Sequence, residues 1–420
     1  MTLVSENKEL PQGGSYVADG TRKRYSVLFI APTSFFADYG HPVRILEEAL
    51  ALRKRGHQVT IVTYYNGRDI ADLSIERTLP IPWRQHYEVG SSRHKIAFDA
   101  LLSLKSLTVG LRIRPDVIHA HIHEGGLIGY FLGQLLRVPL VFDFQGSLTS
   151  EMIDHRFLKP DGLAYRFFRW LEEKIDHAPD AILTSSSHAS DLLRDEFHCS
   201  PGKIYPLPDC VNSDVFRPDV LDAKEREALR ARWGVRRGAR VVVYLGLLAE
   251  YQGTRLLVES IHKLVCEQGR EDLHFLIMGY PGVEGYRTWV HELGLSDYVT
   301  FTDRVPYEDA PKMLALGEVA VAPKISATES SGKVLNYMSM GLPTVAFDTP
   351  VHREYLGELG IYAERGRPDA LAEALGWILD HEAQGHRLGA QLRERVQALY
   401  SWDQAGQRIE EIYDHVCQSK

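Results

Sequence analysis

The strongest constraint on the fold is a repeated alternation of short apolar runs with longer segments of helical periodicity. In the first half of the chain a helix is predicted over roughly Val43–Arg55, because its apolar positions recur on one face and Gly56 follows as a terminator. The apolar runs predict strands at Ser26–Ala31, Val59–Tyr64, Val117–Ala120, Leu140–Phe144 and Ala181–Thr184. This alternation is typical of a parallel sheet that is covered by helices on both faces.

The alternation stops at a charged stretch and then begins again. Residues 217–238 are highly charged and show no strand pattern, which favours a linker with a solvated helix. A second series of strands is predicted at Val241–Leu245, His274–Met278, Val299–Phe301, Val319–Ala322 and Thr344–Phe347. The sequence therefore predicts an α/β fold made of two Rossmann-like domains.

These breaks set the domain boundaries. Residues 401–420 contain a separate amphipathic helix, over Trp402–Val416, which we expect to cross back onto the first domain. The predicted units are a flexible tail over 1–24, a first domain over 25–214, a linker over 215–238, a second domain over 239–400 and this final helix.

Composition and charge exclude several classes of protein. The formal net charge of -8 argues against a general nucleic-acid binder, whose surface must neutralise phosphates. The four cysteines lack the spacing of metal ligands and indicate neither a zinc site nor a disulfide scaffold. The tail lacks the apolar core of a secretory signal, and no stretch approaches the ~18 apolar residues of a membrane span. We therefore expect a cytoplasmic protein.

Four motifs occur in a fixed order along the chain. They are RGHQV at 55–59, after a Gly-containing loop and a helix, PDVIHAH at 115–121, LPDCVN at 207–212, and GKVLNYMSMGLPTVAF at 332–347. With these motifs the chain resembles the retaining GT-B glycosyltransferases of group 1, also called family 4, over nearly all of residues 25–416. The resemblance implies two Rossmann-like domains that face a central cleft. It also implies transfer of a sugar from a nucleoside-diphosphate sugar, with retention.

The resemblance assigns four site residues in the first domain, which would bind the acceptor. Gly40 and His41 lie where a helix N-terminus would face the anionic donor, since free N–H groups favour an anion. His121 follows the third predicted strand and is implied to face the sugar as a catalytic residue, with a structural histidine as the alternative. Gln145 follows the fourth strand and would orient hydroxyls, because an amide does not exchange protons at neutral pH. A plain turn is the alternative for Gln145.

In the second domain, the family uses two carboxylates that grip the donor sugar and the ribose. Glu329 is the candidate for the sugar and is counted as catalytic, although the motif spacing also allows Thr328. Asn336 occupies the ribose position, where its amide can still bond to hydroxyls. The other donor-binding residues that the resemblance implies are Gly246, Arg304, Val305, Gly332 and Glu354.

The chain departs from the family at the positions that neutralise the diphosphate. The family's usual arginine and lysine after the first strand of the second domain are Leu247 and Gln252 here. Because stabilising the leaving diphosphate is a large part of the catalysis, another cation is required. The strongest candidate for this cation is Lys333, in the first turn of a helix that is predicted to begin near Gly332 and to bind the donor. Lys324 and Arg255 are weaker candidates. The chain has no DxD pair, and we expect no bound metal and no cofactor beyond the nucleotide sugar.

The sequence leaves the acceptor and two other functions open. The acceptor is a glycan, a lipid-linked molecule or a small molecule. The alternatives to a transferase are a catalytically silent subunit that binds a nucleotide sugar or a partner enzyme, and a sugar-nucleotide epimerase. The interleaved basic and aromatic residues of Tyr165–Trp170 suggest peripheral membrane contact, with a packed aromatic face as the alternative.

Overall fold

The structure is a computed structural model that describes residues 23–36, 40–80, 95–154, 157–160, 162–326 and 330–419. Its strands are β1 Ser26–Ala31, β2 Gln58–Thr63, β3 Ser74–Arg77, β4 Val117–His121, β5 Leu140–Phe144, β6 Ala181–Thr184, β7 Ile204–Pro206, β8 Arg240–Leu245, β9 Leu273–Met278, β10 Val299–Phe301, β11 Val319–Ala322, β12 Thr344–Phe347 and β13 Ile361–Ala363. Its helices are α1 Gly40–Lys54, α2 Lys95–Ile113, α3 Ile122–Leu136, α4 Leu148–Asp154, α5 Leu163–His177, α6 Ser187–Asp195, α7 Ala223–Arg232, α8 Thr254–His262, α9 Val283–Glu292, α10 Ala310–Leu314, α11 Gly332–Ser339, α12 Pro350–Leu356, α13 Pro368–Asp380, α14 Glu382–Leu399 and α15 Trp402–Gln418.

Within these ranges the strands form two sheets in which every pair is parallel. The first sheet has the order β3-β2-β1-β4-β5-β6-β7, and the second has the order β10-β9-β8-β11-β12-β13. In both sheets the order reverses next to the first strand, at β1/β4 and at β8/β11. Open α/β sheets bind their ligands at the carboxyl ends of the strands beside such a reversal. The topology therefore indicates one binding crevice on each domain.

The prediction of two parallel sheets is confirmed, and all ten predicted strands are present. The three strands that the sequence pattern missed are β3, β7 and β13, each of which lies at the edge of a sheet. They have only three or four residues and are only partly buried, so they lack the continuous apolar run of a central strand.

The charged stretch between the sheets contains one solvated helix, α7. Asp222 and Glu225 form a capping box at its start, and the helix has no buried residue. Just after the helix, Trp233 and Val235 pack against the core of the second domain. Charge and local capping therefore hold this helix on the surface, while its C-terminal flank anchors it.

The last helix, α15, returns to the first domain and packs against α1. The approach is close because Gly406 has no side chain, so its backbone lies next to Ala51. Ile409 and Tyr413 are buried in the core of the first domain, and the Tyr413 hydroxyl lies 2.7 Å from Nδ1 of His119. No helix in the described parts of the chain is long and apolar enough to cross a membrane.

The packing of α15 gives a prediction about stability. Ile409→Ala removes a fully buried side chain and leaves a cavity, so we expect the free energy of unfolding to fall by about 2–5 kcal/mol. Arg408→Ala is the matched control, because Arg408 is half-exposed on the same helix and should change stability by no more than about 0.5 kcal/mol. Equal effects in chemical denaturation would contradict the packing of α15 against the first domain.

Candidate active site

A cavity of about 310 Å³ lies between the two domains. Its lining includes residues that follow β1, β4 and β5 of the first sheet and residues that follow β8, β9 and β10 of the second sheet. The carboxyl ends of both sheets therefore face the same space. Its volume lies at the lower end of the ~300–1,000 Å³ that is usual for small-molecule sites.

The floor of the cavity in the second domain is backbone at the end of β8. Gly246 has a φ of 153°, and a Cβ atom there would lie 2.5 Å from Nζ of Lys333. This ammonium group lies over the ring of Tyr244, 4.6 Å from its centroid, and donates to Oε1 of Gln252 at 2.6 Å. Glycine at position 246 thus leaves room for the lysine at the point where the chain leaves the sheet.

The wall above this floor is the N-terminus of α11, which begins at Gly332. The absence of a side chain at Gly332 leaves room for Asp209, whose carboxylate lies 3.4 Å from the position that a Cβ atom would take. Lys324 is buried and donates to the carbonyl of Ser330 at 2.6 Å, just before the helix. Asn336 lines the cavity one turn further along. Two lysines and free helix N–H groups make this wall suited to an anion.

The wall of the first domain is held by a buried arginine on α1. Arg44 donates to both carboxylate oxygens of Asp143 at 2.9–3.1 Å, to Asp209 at 2.9 Å and to the carbonyl of Leu207 at 3.0 Å. Its Nε also lies 3.0 Å from a carboxylate oxygen of Glu48. Although burial opposes the charge, these carboxylates raise the pKa of Arg44. Burial and the nearby Asp143 raise the pKa of Glu48.

The sequence predicts that His121 faces the sugar, but His121 is not among the residues that line the cavity. Its side chain is fully buried, and its Nδ1 lies 3.1 Å from Asp143, which itself accepts from the amide of Gln145 at 2.5 Å. Burial lowers the pKa of His121, so the ring is neutral at pH 7. Gln145 does line the cavity. The structure therefore places His121 behind the wall, where it contacts the carboxylate that holds Gln145.

His123, in the first turn of α3, does line the cavity. The positive φ of Ile122 turns the chain directly from β4 into this helix. His123 lies 3.2 Å from Asp176 and 3.8 Å from Glu172, both of which are buried on α5. Although burial acts in the opposite direction, these carboxylates raise the pKa of His123 to about 9.

Other predicted site residues divide into three groups. Gly40, His41, Val305, Gly246, Gly332, Asn336 and Lys333 line the cavity together with Gln145. Arg304 is exposed and lies over the ring of Tyr280, outside the cavity lining. Glu329, like the alternative Thr328, lies outside the described residues.

Glu354 was predicted to contact the donor sugar, but it is not among the residues that line the cavity. Its carboxylate accepts from the backbone N–H of Ser187 at 3.1 Å and from the Ser187 hydroxyl at 2.6 Å. Ser187 is the first residue of α6 in the first domain, and a carboxylate is favoured at such a helix N-terminus. Glu354 is therefore a contact between the two domains.

Sequence reasoning also missed residues that build the site. Arg44 and Asp143 lie in a predicted helix and a predicted strand, where periodicity reports only the apolar positions. Asp209 was noted only as part of a motif, although it lines the cavity. Charged residues inside a predicted strand, such as Asp143, are the signal that could have found this network, because a buried charge needs a partner.

Two buried groups of histidines and carboxylates beside the cavity have the spacing of metal ligands. They are Glu48 with His119 and His121, and His123 with Glu172 and Asp176. The first group lies against the Arg44 guanidinium, which would repel a metal ion. In the second group, His123 is an ion-pair partner of both carboxylates.

Two family models match the chain. The model for the glycosyl transferase 4-like domain matches residues 40–210, and the model for glycosyl transferases group 1 matches residues 239–381. Together the two matches cover about three quarters of the chain. The chain belongs to the group 1 glycosyltransferases. It is thus a nucleotide-sugar-dependent enzyme of the retaining type, with the two domains of the GT-B fold.

Known relatives of this glycosyltransferase agree with the assignment. It is 27% identical to the alpha-D-kanosaminyltransferase of Streptomyces kanamyceticus, over 73% of this chain and 79% of the relative. It is 24% identical to the D-inositol 3-phosphate glycosyltransferase of Corynebacterium diphtheriae, over 72% and 71% of the two chains.

Solved structures share the fold of this glycosyltransferase. Sucrose-phosphate synthase from Thermosynechococcus elongatus superimposes with a TM-score of 0.79 at 20% identity, over 94% of this chain and all of that one. HepE of Anabaena, solved in complex with UDP-glucose, gives a TM-score of 0.75 at 14% identity, over 93% of this chain and all of that one.

The raised pKa of His123 predicts how the stability of this glycosyltransferase depends on pH. The pKa of His123 is about 9 in the folded protein and 6.5 in the unfolded chain. Such a histidine adds to the free energy of unfolding, and its full contribution is present below pH 6.5. This contribution is lost as the pH rises through about 9. We expect the free energy of unfolding to fall over this interval by an amount on the order of 3 kcal/mol.

The test compares denaturant unfolding of the wild type with that of His123→Gln between pH 6 and about pH 9.5. The variant should lose this part of the pH dependence and should be less stable at pH 6, because Asp176 and Glu172 remain buried without a cation. His291→Gln, at an exposed histidine, is the control and should keep the dependence of the wild type. Parallel pH profiles for His123→Gln and the wild type would contradict the ion pair.

Proposed function

We propose that this glycosyltransferase transfers a hexosyl unit from a nucleoside-diphosphate hexose to a hydroxyl acceptor, without a bound metal ion. In this transfer the bond between the anomeric carbon and the phosphate oxygen breaks. The acceptor oxygen bonds to the anomeric carbon on the same face of the sugar, and its proton passes to the departing phosphate oxygen. The charge that develops on the diphosphate is then the main demand on the protein.

The contact between Lys333 and Gln252 carries this proposal. Gln252 occupies the position at which the family usually has a lysine, and Nζ of Lys333 lies 2.6 Å from its side-chain oxygen. The missing positive charge is therefore supplied from α11 at nearly the same point in space. Lys333, the buried Lys324 and the N–H groups at Gly332 supply the charge that a metal ion would otherwise provide.

The other residues of the cavity have supporting roles. Because the amide nitrogen of Gln145 donates to Asp143, its carbonyl oxygen is left to accept from a sugar or acceptor hydroxyl. We assign Asn336, which lines the cavity, to the ribose hydroxyls. His121 is a positioning residue, since it acts on Gln145 through Asp143. Glu354 holds the second domain to the first at Ser187.

The relatives support a hexose donor. The two relatives are a glycosyltransferase and a kanosaminyltransferase, and HepE was solved with UDP-glucose. Val305, one of the predicted donor-binding residues, also lines the cavity.

A ligand screen tests the donor class. Thermal unfolding is measured with UDP-, GDP- and ADP-hexoses. We expect the hexoses of one nucleotide to raise the free energy of unfolding by ~2.7 kcal/mol at about 100 times the dissociation constant. The free sugar serves as a control and should have little effect, because it lacks the diphosphate. If no nucleotide sugar changes the unfolding temperature, the donor site as described is wrong.

A charge exchange tests the role of Lys333. Lys333→Gln should lower kcat by a factor of about 10²–10³, because the leaving diphosphate loses a cation. Adding Gln252→Lys to this variant restores a cation at the same point and should recover a large part of kcat. The measurement is the initial rate of transfer or hydrolysis of the donor identified by the screen.

Arg255→Gln is the matched control for this exchange. Arg255, a weaker candidate for the missing cation, is exposed, lies outside the cavity lining and is paired with Glu259 on α8, so its loss should leave kcat unchanged. The double variant must be folded and must bind the donor. If its kcat is then no higher than that of Lys333→Gln, the proposal that Lys333 replaces the family's lysine at position 252 is wrong.

A further inference from the structure

A second cavity, of about 430 Å³, lies on the first domain between α2 and α3. We call it the α2–α3 groove. Its lining is mainly aliphatic and aromatic and includes Leu107, Leu127, Ile128, Phe131 and Leu135. Phe131 and Leu135 are more than half exposed, at 66% and 62%. Apolar side chains that are exposed side by side in a groove mark a site for an apolar ligand or partner.

The α2–α3 groove has a polar end and a closed end. Asp99, Ser103 and Glu124 lie at one end of its lining. At the other end the two helices come together, since a Cβ atom on Gly110 would lie only 3.1–3.3 Å from the side chains of Leu136 and Leu132. A helix rises 1.5 Å per residue, so the lining from Glu124 to Leu135 extends over about 16 Å. The groove is therefore polar at one end and apolar along the rest of its length.

The polar end of the groove adjoins the active site. Glu124 belongs to the lining of the α2–α3 groove and also to the lining of the cavity between the domains. It lies in the first turn of α3, directly after β4, next to His123. Glu124 is thus the residue at which the polar cleft and the apolar groove adjoin.

We propose that the acceptor of this glycosyltransferase is an amphiphile with a single aliphatic chain. The hydroxyl-bearing head enters the cleft beside Glu124, and the chain lies in the α2–α3 groove towards Leu135. The chemistry at the head rests on the proposed function, whereas the binding of the chain does not. The order of surfaces, polar beside the cleft and apolar beyond it, matches the order of head and chain in a single amphiphile.

Binding of n-alkyl glucosides tests the proposal without knowledge of the natural acceptor. Dissociation constants are measured by titration calorimetry with chains of six to about ten carbons, below the concentration at which each forms micelles. Each methylene that enters the groove should tighten binding about fourfold, because ~0.8 kcal/mol is gained for each buried methylene. Affinity that does not change with chain length would overturn the proposal.

Two variants locate the chain. Ala100→Trp places a large ring in the lining of the α2–α3 groove at an exposed position, and should abolish the dependence on chain length while it adds apolar surface. Phe131→Ser with Leu135→Ser should weaken binding of the longer chains about tenfold or more. Leu163→Ser is the control, because Leu163 is 85% exposed on the same domain but outside the groove. It should behave like the wild type.

The same variants separate the outcomes. If Ala100→Trp binds the alkyl glucosides as the wild type does, or if it only strengthens binding to anionic lipid vesicles, the apolar surface serves a membrane and the proposal is wrong. Hydrolysis of the donor in the absence of an acceptor is measured in parallel. Loss of chain binding with normal hydrolysis supports the groove, whereas absence of hydrolysis in the wild type concerns the proposed function alone.

Discussion

The architecture of the active site depends on one buried cation. Arg44 is 4% exposed and contacts Asp143 on β5, Asp209 beyond β7 and Glu48 on its own helix. Buried charges are tolerated only when they are paired, and removal of one partner of a buried pair typically costs 3–5 kcal/mol. Because its partners come from three separate parts of the chain, the guanidinium fixes the distance between α1, the sheet and the segment that leads to the second domain.

The two sides of the cleft share this charge network. On the acceptor side, Asp143 accepts from Gln145 and lies against His121. Because Arg44 holds Asp143, it also fixes the position of this wall of the cleft. On the donor side, Asp209 reaches the start of α11 at Gly332. Movement of one wall therefore changes the electrostatic environment of the other. The contact between Glu354 and Ser187 provides a second link between the domains.

The sequence predicts central strands well and buried charges poorly, for a physical reason. A central strand such as β5 has an apolar run, whereas edge strands such as β13 are short and partly exposed. Arg44 lies within an amphipathic pattern, and no local feature separates a buried arginine from a solvated one. The orientation of His121 depends on the backbone of Ile122 and on Asp143, 22 residues further along the chain. Only the fold brings these groups together.

The position of Lys333 adds a constraint on how the donor binds. A lysine in the first turn of a helix is disfavoured by the helix dipole, by ~0.3–1 kcal/mol. Here the ammonium group is compensated by the carbonyl oxygen of Gln252 and by the ring of Tyr244. An anion bound at Gly332 would relieve the same repulsion and would meet the lysine and the helix N–H groups together. The lysine and the N–H groups therefore act from one element, so a shift of α11 would weaken both contacts to the diphosphate at once.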